Sequence, residues 1–292
     1  MRRLTALPGN PDPSSILRPS SSVAPRALAD WFALWRRLVG AAVRGQMQYR
    51  VSFILQVVTQ FGLCGLDFVA LYFLLTRFQG LQDWTLPEVA LLYGMAAMSF
   101  GVAEMFSGVL DNFSSLMKRG EFDRYLIRPL PLMFQMMTAE FMLRRIGRIA
   151  QGLALVYAIV NLPVRWTAAD WTLLSLTLVG GTLFWFAILI AGATSCFWTA
   201  ETSEVANIFS YGGIEMLSYP MSIYNEWFRK FFTFVVPMAF INYFPVLWLT
   251  RRADTVAPVW VAWLSPLVCL AVFLISLRVF NWGVKHYQST GS

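Results

Sequence analysis

Apolar runs of membrane length alternate along this chain with short polar breaks, and their spacing predicts six helical spans. They cover about residues 51-75, 87-110, 146-163 and 171-198, a fifth stretch beginning near Glu204, and 257-280. A hydrocarbon core of about 30 Å takes roughly 20 apolar residues in a helix. The fifth stretch is weaker, interrupted by Gly212, Gly213, Glu215 and Pro220. Residues 223-255 read as neither span nor loop. Trp227, Arg229, Lys230, Pro237, Pro245, Arg251 and Arg252 stand there among aromatics, which suits short helices that dip into a membrane and return.

Ahead of the first span, residues 27-46 predict an amphipathic helix. Leu28, Trp31, Phe32, Trp35, Leu38, Val39 and Ala42 share one face, flanked by Arg36, Arg37 and Arg44. Tryptophan on one side and arginine on the other is the pattern of a helix lying at the membrane interface. Residues 1-26, rich in Pro, Ser and Arg, predict a disordered tail, and no apolar run follows Arg2 and Arg3 at signal-peptide distance. The expected division is therefore a tail at 1-26, one membrane domain at 27-285 and a short tail at 286-292.

Composition fixes the class. Hydrophobic residues make up 57% of the chain and charged residues 13%, against about 45–50% and 25% in soluble domains. This is an all-α polytopic membrane protein, with no room for a separate soluble domain of ordinary size. The net charge of +7 points to membrane topology rather than to nucleic acid. Of 23 Lys and Arg, eight lie before the first span, seven between Lys118 and Arg148, and two (Arg278 and Lys285) at the C-terminal end. The other six fall on the opposite side, so both termini and the 111-145 loop are expected in the cytoplasm.

That loop holds the chain's densest charge. Lys118, Arg119, Glu121, Asp123, Arg124 and Arg128 fall within residues 107-131, interleaved with Phe113, Leu116, Met117, Phe122, Tyr125 and Leu126. Charges of both signs cannot lie in hydrocarbon, so the segment faces water or protein. Charge with apolar knobs at helical spacing suits docking onto a soluble partner.

Signals for catalysis are absent. The sequence has no His-Glu-x-x-His, no nucleophile elbow and no phosphate-binding Gly loop followed by Lys and Ser/Thr, so the chain is not expected to be an enzyme or to hydrolyse ATP. Cys64, Cys196 and Cys269 stand far apart without metal-ligand spacing, and His286 lies in the polar tail; neither a metal nor a cofactor is expected. Gly180, Gly181 and Gly192 permit close helix approach. Asp67, Glu104 and Glu215 fall inside spans, where a carboxylate either lines a polar pathway or fixes packing; both readings stand.

The stretch KRGEFDRYLIRPLP at 118-131 and the stretch YPMSIYNEWFRKFFTFVVPMAFINYFPVLWL at 219-249 resemble the bacterial permeases of type-2 ATP-binding-cassette exporters. The resemblance covers roughly residues 28-285. It implies that 27-46 is the connecting helix at the cytoplasmic face. It implies that Lys118, Arg119, Glu121, Phe122, Asp123, Arg124, Tyr125, Leu126, Arg128 and Pro129 belong to the helix that couples to an ATPase. It also implies re-entrant helices over 223-250, capping the extracellular side, with Tyr219, Pro220, Pro237, Tyr243 and Pro245 at an outer gate. Partners implied are two ATPase subunits, which hold ATP and Mg, and a second permease of the same or a related chain, in a bacterial inner membrane. The expected function is export of a hydrophobic or amphipathic substrate. An ion-coupled secondary transporter is the rival, although no internal repeat supports it; a membrane scaffold would not need the charged segment.

Overall fold

The computed structural model describes residues 28–77, 84–199, 203–252 and 258–287. The tail at 1-26 and the last residues of the C-terminal tail lie outside the described residues. The described residues are helical, with no β-strand among them.

Helices Leu28–Gln46 (α1) and Arg50–Arg77 (α2) join through a 3-10 turn at Met47–Tyr49. The backbone stays helical at Gln46 and Arg50, so Asp30–Phe73 runs as one helix of 44 residues. At 1.5 Å per residue this is about 66 Å, roughly twice a hydrocarbon core. The amphipathic helix therefore continues the axis of the first span instead of folding down into the interface plane. Its apolar face meets protein: Val39 is buried with Met105 and Phe141, and Trp31 packs edge-on to Phe134 at 5.0 Å.

Helix Leu86–Phe106 (α3) is the centre of the fold. In its apolar window 83% of residues are buried, against 6% in the N-terminal helix. Thr85 and Glu88 form a capping box at its start, with Pro87 in the first turn. Ser107 ends it, and the charged segment follows as Gly108–Asp111 (α4), Phe113–Lys118 (α5), Asp123–Leu126 (α6) and Leu132–Ala139 (α7).

The expected third span is a pair of short helices, Ile146–Ile149 (α8) and Gly152–Asn161 (α9), separated by a turn. Glycine sets their approach to α3: a Cβ on Gly94 would lie 2.7 Å from the Leu155 amide nitrogen. Helix Ala168–Ser195 (α10) opens with a second capping box, Thr167 with Asp170. It packs along Ser265–Val284 (α14), the helix that a 3-10 turn at Val259–Leu264 introduces. Between them lie Ser203–Leu217 (α11), Glu226–Lys230 (α12) and Tyr243–Leu249 (α13).

Among the described residues four helices are long and apolar enough to cross a membrane, Asp30–Phe73, Leu86–Phe106, Ala168–Ser195 and Val259–Val284, or five if the bent pair below counts as one span. Of the six expected spans, the third and fifth are shorter than that. The segments Glu226–Val235 and Met238–Leu249 meet at 77°. Pro237 stands at this break, and the residue before it, Val236, is extended, as a following proline demands.

Candidate functional site

The charged segment is built as a tip on a fixed base. Gly120 takes a left-handed φ of 64°, which closes α5: the Gly120 amide donates to Met117 O and the Glu121 amide to Leu116 O. The turn reverses the chain and sends Phe122 inward. Phe122 is fully buried, with Phe113 at 5.3 Å, Phe197 at 5.6 Å and Tyr287 at 4.9 Å between ring centroids. Phe280 completes the group against Phe113 and Phe197. Phe122 thus belongs to the base, and the expectation that its ring docks on a partner is corrected: the neighbouring aromatics leave it no outward face.

Beyond the base, Gln135 holds the tip. Its Nε2 donates to Tyr125 O at 3.0 Å and to Leu130 O at 2.8 Å. Between those carbonyls Leu126, Ile127, Arg128 and Pro129 are exposed, Ile127 at 82%. Lys118, Arg119 and Arg124 are exposed as well, and Arg119 pairs with Glu121 at 3.0 Å. Asp123 and Tyr125 are partly buried; Arg128 lies over the Tyr125 ring at 5.9 Å. Burial, with the Glu140 carboxylate, pushes the Tyr125 phenol up, so it stays neutral. Ile127 is the outermost apolar residue of the tip, and the sequence reading passed over it. No periodicity argument separates it from Leu126; only the Gln135 clamp does.

A buried ionic network joins both ends of this segment to the spans. Glu104 on α3 pairs with Arg145 at 3.1 Å and Arg148 at 3.0 Å, and all three side chains are largely or wholly buried. Tyr211 on α11 donates to Glu104 at 3.0 Å and approaches Asp111 at 3.3 Å. Two acids and two arginines balance here. Of the two readings of Glu104, packing accounts for its contacts, since an unpaired charge in a membrane span costs about 2.5–3.5 kcal/mol or more. Arg145 and Arg148, which sequence assigns to the loop charge, point inward.

Asp67 and Glu215 behave differently. They share a cavity of about 350 Å³ with Gln60, Tyr93, Arg148 and Gln151. Neither makes a hydrogen bond or ion pair among the described residues.

At the other end of the fold, two adjacent arginines clip two helix starts. Arg252 donates to Glu88 at 2.6 and 3.0 Å and lies over Trp84 at 4.8 Å. Arg251 donates to Asp170 at 2.8 Å, and Trp248 Nε1 donates to the same carboxylate at 3.1 Å. Both acids also serve the capping boxes of α3 and α10. Asn242, fully buried, bridges Leu92 O at 3.0 Å and Leu217 O at 2.7 Å. Of the residues expected at an outer gate, Pro220, Tyr243 and Pro245 are buried in the fold, while Tyr219 and Pro237 are partly exposed. Tyr243 and Pro245 lie within the second arm of the bent pair.

No curated protein and no solved structure matches this chain. The family model described as ABC-2 family transporter protein matches residues 61–291, which takes in the charged tip, the ionic network, the cavity lining except Gln60, and the bent pair. Covering well over half of the chain, that match shows that the protein belongs to the ABC-2 family of transporter proteins.

Proposed function

We propose that this chain is the permease subunit of an ATP-driven exporter, moving a hydrophobic or amphipathic molecule out of a bacterial cytoplasm. Membership of the family implies an ABC ATPase as partner, and this chain is the membrane component beside it. ATP and Mg belong to that ATPase. The orientation follows from the charge asymmetry: both termini and the 113-130 segment face the cytoplasm, in the inner membrane. A second permease, the same or a related chain, completes the assembly. The largely exposed apolar surface of α2 around Ile54, Val58 and Phe61 is consistent with such a neighbour or with lipid.

The observation that carries this reading is the clamped tip, with Leu126, Ile127 and Arg128 outward on a base that is locked inward. An apolar knob beside charge, on a short rigid element, suits insertion into a groove of a soluble protein. Closure of an ATPase pair then moves the tip as a rigid body. Motion reaches α10 and α14 through the Phe122 cluster, and α3 and α11 through Glu104 and Tyr211.

Co-purification from native membranes tests the reading, followed by transport in inverted vesicles. An ABC ATPase that copurifies and ATP-dependent uptake of an amphipathic dye into those vesicles are the expected results. ATP-independent uptake driven by an ion gradient would overturn it.

A further inference from the structure

The ionised groups placed along the helices sort into two kinds. Glu88, Glu104 and Asp170 each hold an arginine. Asp67 on α2 and Glu215 on α11 hold none, yet they face one cavity. Arg148 also lines that cavity, but its guanidinium is paired with Glu104 at 3.0 Å. Asp67 and Glu215 therefore face the cavity with no ion pair of their own. In the same lining the amide Oε1 of Gln151 is buried with no hydrogen-bond partner, while its Nε2 donates to Tyr93 at 2.6 Å. It adds an unpartnered acceptor to the two carboxylates.

Access is built into the same helix. Ser52, Gln56, Gln60 and Asp67 recur at spacings of four and seven along α2, which puts them on one face of an otherwise apolar helix. Gln60 also borders a larger cavity of about 1010 Å³, which reaches Ser52 and Gln56 and opens beside Arg50 and Arg144. A polar track thus runs from the loop end of α2 to the carboxylate pair. A metal ion fits poorly: no group of three or more His, Cys, Asp and Glu side chains comes together among the described residues. An organic cation needs only charge, acceptors and room, which are all present.

We propose that the cavity between α2 and α11 binds the positively charged group of the transported molecule, with Asp67 and Glu215 as its counter-ions and Gln151 as an acceptor. This names a substrate class, an amphipathic organic cation, and it rests on the transport reading above.

The test is equilibrium dialysis of three probes against the full chain in phosphatidylcholine nanodiscs, with empty discs subtracted. Hexyltrimethylammonium, hexyl glucoside and hexyl sulfate share a chain and differ in head-group charge. Saturable binding of the ammonium probe, about ten-fold tighter than either of the others, is expected. The double variant Asp67→Asn, Glu215→Gln is expected to lose that preference and keep its affinity for hexyl glucoside. Equal affinities for the three probes, no saturable ammonium binding, or a double variant that retains the preference would each overturn the proposal. The comparison of probes on the unaltered chain stands even if the double variant does not fold. Binding needs no ATPase, so a chain that binds the cation but copurifies with no ATPase sinks the exporter reading alone. One that copurifies with an ATPase and shows no cation preference sinks this proposal alone.

Discussion

The rings of Phe122 and Tyr287 meet edge to face with centroids 4.9 Å apart, so the segment after the second span is pinned to the far end of the chain. Phe113, Phe197 and Phe280 close around the pair. Aromatic pairs at such distances add about 0.5–1.5 kcal/mol beyond area burial.

Phe122→Ala is therefore expected to act on the fold. Truncating a fully buried phenylalanine costs about 3–5 kcal/mol, whereas Ile127→Ala, at an 82% exposed position, should stay within about 0.5 kcal/mol. Thermal unfolding of the purified protein checks both. An unchanged midpoint for Phe122→Ala would show that the aromatic cluster does not hold the base.

Sequence reasoning found the long helices from the length of their apolar runs. The apolar runs put the starts near residues 87 and 171, and the structure fixes them a few residues earlier with capping boxes, Thr85 with Glu88 for α3 and Thr167 with Asp170 for α10. The bent pair was legible locally, since Pro237 breaks any helix that contains it. What was not legible depends on distant partners. Glu104 meets Arg145, Arg148 and Tyr211 across separate helices, and no spacing rule announces those pairs. The direction of Phe122 is set by the left-handed turn at Gly120, not by the helical period that groups it with Tyr125 and Leu126. The third stretch is broken for another reason: Gly147 and Gly152 flank the turn between its two short helices, in a run that hydropathy alone reads as continuous.

Glu104→Gln should be strongly destabilising. It strands Arg145 and Arg148 in a buried setting, and breaking a buried pair from one side costs about 3–5 kcal/mol. Adding Arg148→Met should recover part of that loss, giving a coupling energy of about 1 kcal/mol or more in a double-mutant cycle. Strict additivity would mean that the pair does not act as a unit.

Arg251 and Arg252 should differ although they are neighbours. Arg252 is the more buried, and its partner Glu88 is only 9% exposed. Arg251 is 44% exposed and sits at a φ of 58°, where a residue other than glycine carries about 1–2 kcal/mol of strain. Arg251→Gly is expected to be close to neutral, as relief of strain offsets the lost ion pair. Arg252→Ala should open the start of α3, read as faster hydrogen exchange at residues 84-88. Equal effects of the two substitutions would discount the geometry.

Single cysteines at the exposed positions Lys118 and Asn225, in a chain whose own cysteines are replaced, should be labelled from opposite faces of the membrane. Cytoplasmic labelling is expected at 118 and external labelling at 225. Labelling of both from the same face would overturn the orientation.

The central claim is that the outward tip touches the ATPase. A photo-crosslinking amino acid at position 127, illuminated in native membranes, tests it most directly, with a second at the buried position 116 as reference. The account predicts an adduct at 127 to a protein carrying an ABC nucleotide-binding domain, and none at 116. An ATPase that copurifies with the chain yet is never captured from 127, while other exposed positions capture it, would contradict the account.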